Sequence, residues 1–286
     1  MRQNIIVHLY GLIRDMYAEH GDPRVAHLPL LGNLWIVLAL VGVYLAFVLH
    51  YGPKWMEHRK PYELKTVMQV YNAVQVVANT IVFLYGLTNT YLQPGFSWTC
   101  QPFDKTDTSP RMMHVLCATY VYYMLKYLDL LDTVFIVLRK KNSQVSFLHV
   151  YHHAGMVFGV SIYMTFLGGS HATMLGIINL LVHSVMYAYY YASSLGALRH
   201  ILWWKQRITQ LQLAQFGYLT LHFLLVIVRN PCRFPPFIAF IGFIQNIFMF
   251  FMFFDFYYKT YIRKQRQQQQ PPVKRESPAE AGLKLS

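Results

Sequence analysis

Imidazole can attack a thioester, carry a proton or bind a metal, and this chain sets three imidazoles within five residues, His149, His152 and His153 of the stretch HVYHH. On a helix of about 3.6 residues per turn, positions three and four apart share a face, so the three rings crowd together. Histidines at that spacing form either a set of metal ligands or a catalytic cluster. Just upstream, KYLDLLDT places Lys126, Asp129 and Asp132 three apart, with opposite charges within one turn. They read either as an internal ion pair that spares lipid a charge or as carboxylates that orient a histidine and raise its basicity.

Two further stretches repeat the pattern. In NLLVHSVMYAYYY, residues Asn179, His183, Met186, Tyr187 and Tyr190 fall on one helical stripe that carries a base and several hydroxyls. Asn179 and Tyr187 are partners that can fix the tautomer of His183, whereas Met186 and Tyr190 fit packing as well as chemistry. In TQLQLAQ, residues Thr209, Gln212 and Gln215 are three apart, suited to a polar ligand or to bridging helices. The single histidines His50, His171 and His222 read as loop or helix-end residues.

The elements that must position these groups are membrane helices. The chain has 286 residues, 55% hydrophobic and only 13% charged, and its apolar residues come in blocks near 28–51, 66–87, 113–138, 146–167, 172–192, 208–228 and 236–257. Each is close to the roughly 20 residues that cross a bilayer as a helix. The fold class expected is an all-α integral membrane protein, a bundle of seven transmembrane helices. Ionisable side chains at that depth line a cavity or each other, never lipid. Residues 1–27, which lack the pattern of a cleaved signal peptide, form an N-terminal segment; 28–261 form the membrane domain; and 262–286, rich in Gln and Pro, form a disordered basic tail.

Lysines and arginines orient the bundle. The segments around Lys54 to Lys65, Arg139 to Lys141, Arg199 to Arg207 and the tail hold 17 of them, against 7 on the opposite side. The more basic side faces the cytosol, so the tail is cytosolic and the N-terminus lumenal or external. The net charge of +13 fits this orientation, anionic headgroups and acidic substrates; no module for nucleic acid is present. Cys100 and Cys232 both fall in lumenal loops, where an oxidising compartment would keep a disulfide between them, while Cys117 lies within a span and stays reduced. Asp255, close to Lys259 near the end of the last span, is interfacial.

Three classes of function suit this constellation. Membrane di-iron oxidases carry histidine boxes, but one dense box plus His183 supplies too few ligands for two irons; a single zinc held by the box and a carboxylate remains open. Nucleophilic imidazole catalysis, taking an acyl group from a thioester and passing it on, is the second class. A seven-span lipid transporter or receptor is the third.

KYLDLLDT, FLHVYHH, NLLVHSVMYAYYY and TQLQLAQ, in this order, resemble the fatty acid elongase condensing enzymes, the very-long-chain 3-ketoacyl-CoA synthases, and especially their animal branch. The resemblance implies a bundle of seven spans enclosing an acyl-chain tunnel in the endoplasmic reticulum membrane. It implies condensation of a long-chain acyl-CoA with malonyl-CoA, loss of carbon dioxide, no cofactor and no metal, alongside other enzymes of the elongation cycle. It makes His152, the second histidine of the box, the acyl acceptor, with His149 and His153 in support. His183, Asn179 and Tyr187 are candidates to stabilise the enolate formed from malonyl-CoA. The phosphates of CoA would dock among Lys65, Arg139, Lys140, Lys141, Lys205 and Arg207. One departure stands out: the family usually has Glu where this chain has Asp129, so a contact made by the longer side chain would be shifted, bridged by water or missing. Lys284, third from the end, only partly matches a dilysine retrieval signal.

Overall fold

The computed structural model describes residues 2–196 and 202–263; most of the expected tail, with Lys284, and Arg199 lie outside the described residues. Among the described residues the regular structure is helical, with no strand. There are eight long helices: α1 Arg2–His20, α2 Leu34–Met56, α3 Lys65–Asn89, α4 Pro110–Leu138, α5 Phe147–Leu167, α6 Thr173–Ser194, α7 Leu202–Val228 and α8 Pro236–Ile262. Five of them, α2, α3, α6, α7 and α8, are long and apolar enough to cross a membrane by length and composition. The other two members of the bundle, α4 with 29 residues and α5 with 21, are less apolar because they carry Lys126, Asp129, Asp132 and the three histidines.

Local chemistry sets the helix ends. Ser109 accepts from the backbone N–H of Met112 at 3.3 Å and Pro110 follows it, a capped start for α4. Ser146 does the same for α5 through the N–H of His149, also at 3.3 Å, which fixes the turn on which the histidine box begins. The link between these helices closes because Lys140 takes a left-handed backbone, φ 55°. Sequence placed the first span at 28–51, but α2 begins only at Leu34. The residues before it form turns that end at Gly32, φ 73°, and Asn33 caps the helix by accepting from Trp35 N–H at 3.0 Å. Further along, Pro53 has no N–H to give, and α2 widens into a π-turn over Phe47–Tyr51.

The bundle has two distinct ends. At one, Cys100 of the α3–α4 connection and Cys232 of the α7–α8 connection form a disulfide with Cα atoms 5.5 Å apart. Asp22 and Arg24 are sealed at the same end, where Asp22 N–H donates to Thr165 O at 2.8 Å. This is the cap end. At the other, basic end, Lys140 reaches the carbonyls of Glu57 and Arg59, and Tyr62 N–H donates to Leu138 O at 3.1 Å.

Helix α3 shows how the bundle is polarised. Val67, Val70, Val74, Val77, Ile81 and Leu84 are exposed along one face, whereas Tyr71, Gln75 and Asn79, spaced by four, are buried on the other. That is the arrangement of a helix with apolar side chains toward lipid and polar ones toward partner helices, α6 and α4. Between the helices lies a cavity of about 1130 Å³, lined by residues of α2 to α8 and overwhelmingly apolar. It is at or above the upper end of the roughly 300–1,000 Å³ usual for small-molecule sites.

Candidate active site

Helix α4 carries the charged core. Tyr122, Lys126, Asp129 and Thr133, spaced by four, three and four, are all buried on its inward face. The Lys126 ammonium donates to Asn179 Oδ1 at 2.9 Å, pairs with Asp129 Oδ2 at 2.7 Å and sits 4.8 Å above the Tyr122 ring. Buried at 1% and 3% exposure of their side chains, the two charges must satisfy one another, since an unpaired charge here would cost several kcal/mol. Asp129 Oδ1 accepts from Gln75 Nε2 at 2.7 Å and from the Tyr187 hydroxyl at 3.1 Å. The same hydroxyl lies 2.6 Å from Asp132 Oδ2, and Asp132 has no lysine of its own among the described ion pairs. His183 Nδ1 lies 3.4 Å from Asp129 Oδ2 but is not aligned for a hydrogen bond.

The histidine box divides by environment. His149 and His153, one turn apart, have ring centroids 4.4 Å apart. His149 Nε2 lies 2.9 Å from the Thr133 hydroxyl, which in turn lies 2.7 Å from the Tyr44 hydroxyl of α2. His152 is the member of the box that lines the cavity. It stands edge-on to the rings of Phe216 and Phe253, each 6.3 Å away between centroids, and of His153 at 5.7 Å. Aromatic walls and neighbouring imidazoles hold its ring without consuming it in an ion pair. Among the described residues, no group of three His, Cys, Asp or Glu side chains converges as metal ligands would.

Asn179 supplies a polar group to the same cavity wall. Its Oδ1 accepts from both Lys126 and Tyr122, the latter at 3.1 Å, which fixes the amide and leaves Nδ2 as its free donor. Of the three groups expected to stabilise an enolate, Asn179 alone lines the cavity; His183 is packed behind it and Tyr187 spends its hydroxyl on the two carboxylates.

The remaining residues singled out in the sequence scatter. Gln215 is buried and lines the cavity, while Gln212 bridges to Met186 Sδ at 3.7 Å and Thr209 returns its hydroxyl to Lys205 O at 3.1 Å. Tyr190 is 43% exposed and packs edge-on against Tyr187. At the basic end, Lys141 and Lys205 are exposed, Arg207 contacts Gln210 and the Trp203 ring, Arg139 lies 3.2 Å from Met68 Sδ, and Lys140 is engaged by the two carbonyls of the α2–α3 connection. Lys259 pairs with Asp255 on an exposed surface. His222 is not a helix-end residue: it lies buried within α7, its ring stacked 3.8 Å from that of His171 at the cap end.

Sequence reasoning passed over α3 and Tyr44. Tyr71, Gln75 and Asn79 are three polar residues at four-residue spacing inside an apolar block, the same signal that drew notice to α6. Thr133 lies within KYLDLLDT but has no charge to mark it.

A sequence model described as ELO, GNS1/SUR4 family, matches residues 29–269. The chain is 37% identical over 227 residues to very long chain fatty acid elongase 7 of Rattus norvegicus, covering 78% of this chain and 80% of that one. It is 34% identical over 234 residues to very long chain fatty acid elongase 1 of Homo sapiens, covering 80% of each. With very long chain fatty acid elongase F of Drosophila simulans it shares 38% identity over 213 residues, 72% of this chain and 79% of the relative. With residues of three of the polar stretches, His152, Asn179 and Gln215, lining one cavity and similarity running along most of its length, the chain belongs to the GNS1/SUR4 (ELO) family, that of the very long chain fatty acid elongases.

Proposed function

We propose that this protein catalyses the condensing step of fatty acid elongation, joining a long-chain acyl-CoA to malonyl-CoA through an acyl-imidazole on His152. The observation that carries this reading is the placement of His152 on the wall of a large apolar cavity that Asn179 also lines. An alkyl chain fits the apolar lining, and an uncharged imidazole is a nucleophile toward a thioester.

In the first step the unprotonated ring nitrogen of His152 attacks the thioester carbonyl. The C–S bond breaks, an N–acyl bond forms, and the proton from the other ring nitrogen ends on the CoA sulfur. In the second step malonyl-CoA loses its free carboxylate as carbon dioxide, and the electron pair of the broken C–C bond becomes an enolate. Asn179 Nδ2 is the donor suited to the enolate oxygen. The enolate carbon attacks the acyl carbonyl, the N–acyl bond breaks, and the imidazole takes up one proton from solvent, giving a 3-ketoacyl-CoA two carbons longer; the cycle as a whole consumes that proton. Lys126 and Tyr122 hold Asn179, and Thr133 holds His149 behind the nucleophile. The scheme uses no cofactor and no metal, and its only small-molecule partners are the two CoA esters.

The protein is placed in the endoplasmic reticulum membrane with its N-terminus lumenal and its tail cytosolic, α2 to α8 making seven spans around the acyl tunnel. Support comes from two independent cues: the disulfide lies at one end of the bundle and the lysine-rich connections at the other. CoA then docks from the cytosolic side, against exposed cations such as Lys141 and Lys205, in contact with other enzymes of the elongation cycle. Purified protein given both esters should release carbon dioxide and a 3-ketoacyl-CoA, and should release neither when one ester is withheld. Carbon dioxide or ketoacyl product independent of added acyl-CoA would overturn the reading.

A further inference from the structure

Asp129 has one methylene fewer than glutamate, yet its carboxylate is fully engaged: beside Lys126 and Tyr187, one partner comes from a helix outside the four polar stretches. Gln75 of α3 reaches across to Asp129 Oδ1, with Nε2 2.7 Å away. Gln75 is completely buried and is itself held on three sides. Its Nε2 also donates to the Tyr71 hydroxyl at 3.0 Å, its Oε1 accepts from Asn79 Nδ2 at 3.1 Å, and that same Nδ2 donates to Gln75 O at 2.8 Å. Because Asp129 only accepts and Asn79 Nδ2 only donates, the amide can take one orientation. Tyr71 extends the network to Leu128 O at 3.2 Å and to the Tyr187 hydroxyl at 3.3 Å.

We infer that Gln75 is a positioning residue for the condensation: it fixes the short carboxylate of Asp129 so that the other oxygen holds Lys126, and through Lys126 the amide of Asn179 on the cavity wall. The inference rests on the proposed function for what the site does, but its geometry stands apart from the identity of the nucleophile. Without Gln75, Asp129 Oδ1 loses its shorter, charge-assisted hydrogen bond and keeps only the 3.1 Å contact to the Tyr187 hydroxyl, which is shared with Asp132. The Asp129–Lys126–Asn179 chain, with links of 2.7 and 2.9 Å, is then held less firmly at its Asp129 end.

The pairing also sets the room available. Extending Asp129 by one methylene moves the carboxylate about 1.5 Å outward, into the space of an amide already at hydrogen-bond distance. Asp129→Glu should therefore be costly beside Gln75 and tolerated once Gln75 is trimmed.

The test is a double-mutant cycle in the full chain in detergent, read as kcat and KM for the condensation and as the melting temperature. Gln75→Ala should lower kcat about tenfold to a hundredfold with KM for both esters nearly unchanged, the range for losing a hydrogen bond to a buried charge. Asp129→Glu alone should lower kcat at least about tenfold. The double variant should recover most of the rate, because the longer carboxylate fills the space that the amide left. A double variant no faster than the slower single would overturn the inference, as would Asp129→Glu with full activity, a measurement that needs no Gln75 variant to fold. Acyl-adduct formation measured on the same samples separates the two ideas: rescue without an adduct on His152 keeps the role of Gln75 and removes the proposed nucleophile.

Discussion

Two buried ion pairs lie at different depths in this molecule and are built in opposite ways. At the cap end Arg24 grips Asp22 with Nε at 2.9 Å from Oδ1 and Nη2 at 2.5 Å from Oδ2, adds its own backbone N–H at 3.0 Å, and spends Nη1 on Asp107 O at 2.7 Å. The guanidinium fork matches the carboxylate and leaves little unsatisfied. In the bundle, Lys126 and Asp129 divide their bonds among Asn179, Gln75 and Tyr187, with His183 3.4 Å away and unaligned. Beyond each other the side chains of the first pair hold only a backbone carbonyl; the second is a junction whose members each hold other side chains. A saturated pair fixes backbone, whereas a shared pair fixes side chains relative to one another, which is the arrangement the proposed chemistry needs.

Substitutions at the two pairs should separate those roles. The largest effect is expected for Lys126→Met, which leaves Asp129 buried and unpaired and frees Asn179: turnover falls below detection, and the protein loses about 3–5 kcal/mol of stability, visible as a lowered melting temperature. Wild-type turnover in that variant would dissolve the contrast. Arg24→Met should cost a similar about 3–5 kcal/mol, since Asp22 is left uncompensated, while turnover per folded molecule stays within twofold of wild type. If its activity fell in proportion to Lys126→Met at temperatures where it remains folded, the cap pair would belong to the site after all.

A smaller effect sharpens the picture inside the junction. Thr133→Val removes the hydroxyl between Tyr44 and His149 and keeps the shape; it should slow turnover about threefold to tenfold, as for one neutral hydrogen bond, with little change in melting temperature. A melting-temperature drop without a rate change would make that chain structural. The smallest effect is expected at the basic end, where Lys141 is exposed and Lys140 is held by carbonyls. Lys141→Glu should raise the apparent KM for both esters a few-fold at low salt, an effect that fades as salt screens it. An unchanged KM at low salt would remove Lys141 from the CoA site.

Much of this was legible in the chain because membrane depth penalises every polar side chain. Lys126, Asp129, His149 and Asn179 stood out against apolar neighbours, and their helical spacing told which faces they share. Cys100 and Cys232 were paired on topology and lie bonded at the cap end. What the spacing within one helix does not contain is which helix faces which. Gln75 meeting Asp129, or Tyr44 meeting Thr133, is a fact of packing between segments 54 and 89 residues apart. For the same reason His149, His152 and His153 looked equivalent on one face, and only the surrounding helices put His152 on the cavity and His149 behind it. That the Tyr187 hydroxyl faces two carboxylates was not legible either, because Asp129 and Asp132 lie on another helix.

The central claim is that His152 carries the acyl group, and peptide mass spectrometry tests it directly. Protein incubated with a long-chain acyl-CoA and no malonyl-CoA, then digested under mildly acidic conditions, should yield a peptide containing His152 heavier by one acyl group. The adduct should vanish on adding malonyl-CoA and be absent from His152→Ala. An enzyme that turns over both esters while its peptides carry no acyl group, or carry it at another residue with His152→Ala still active, would contradict the account.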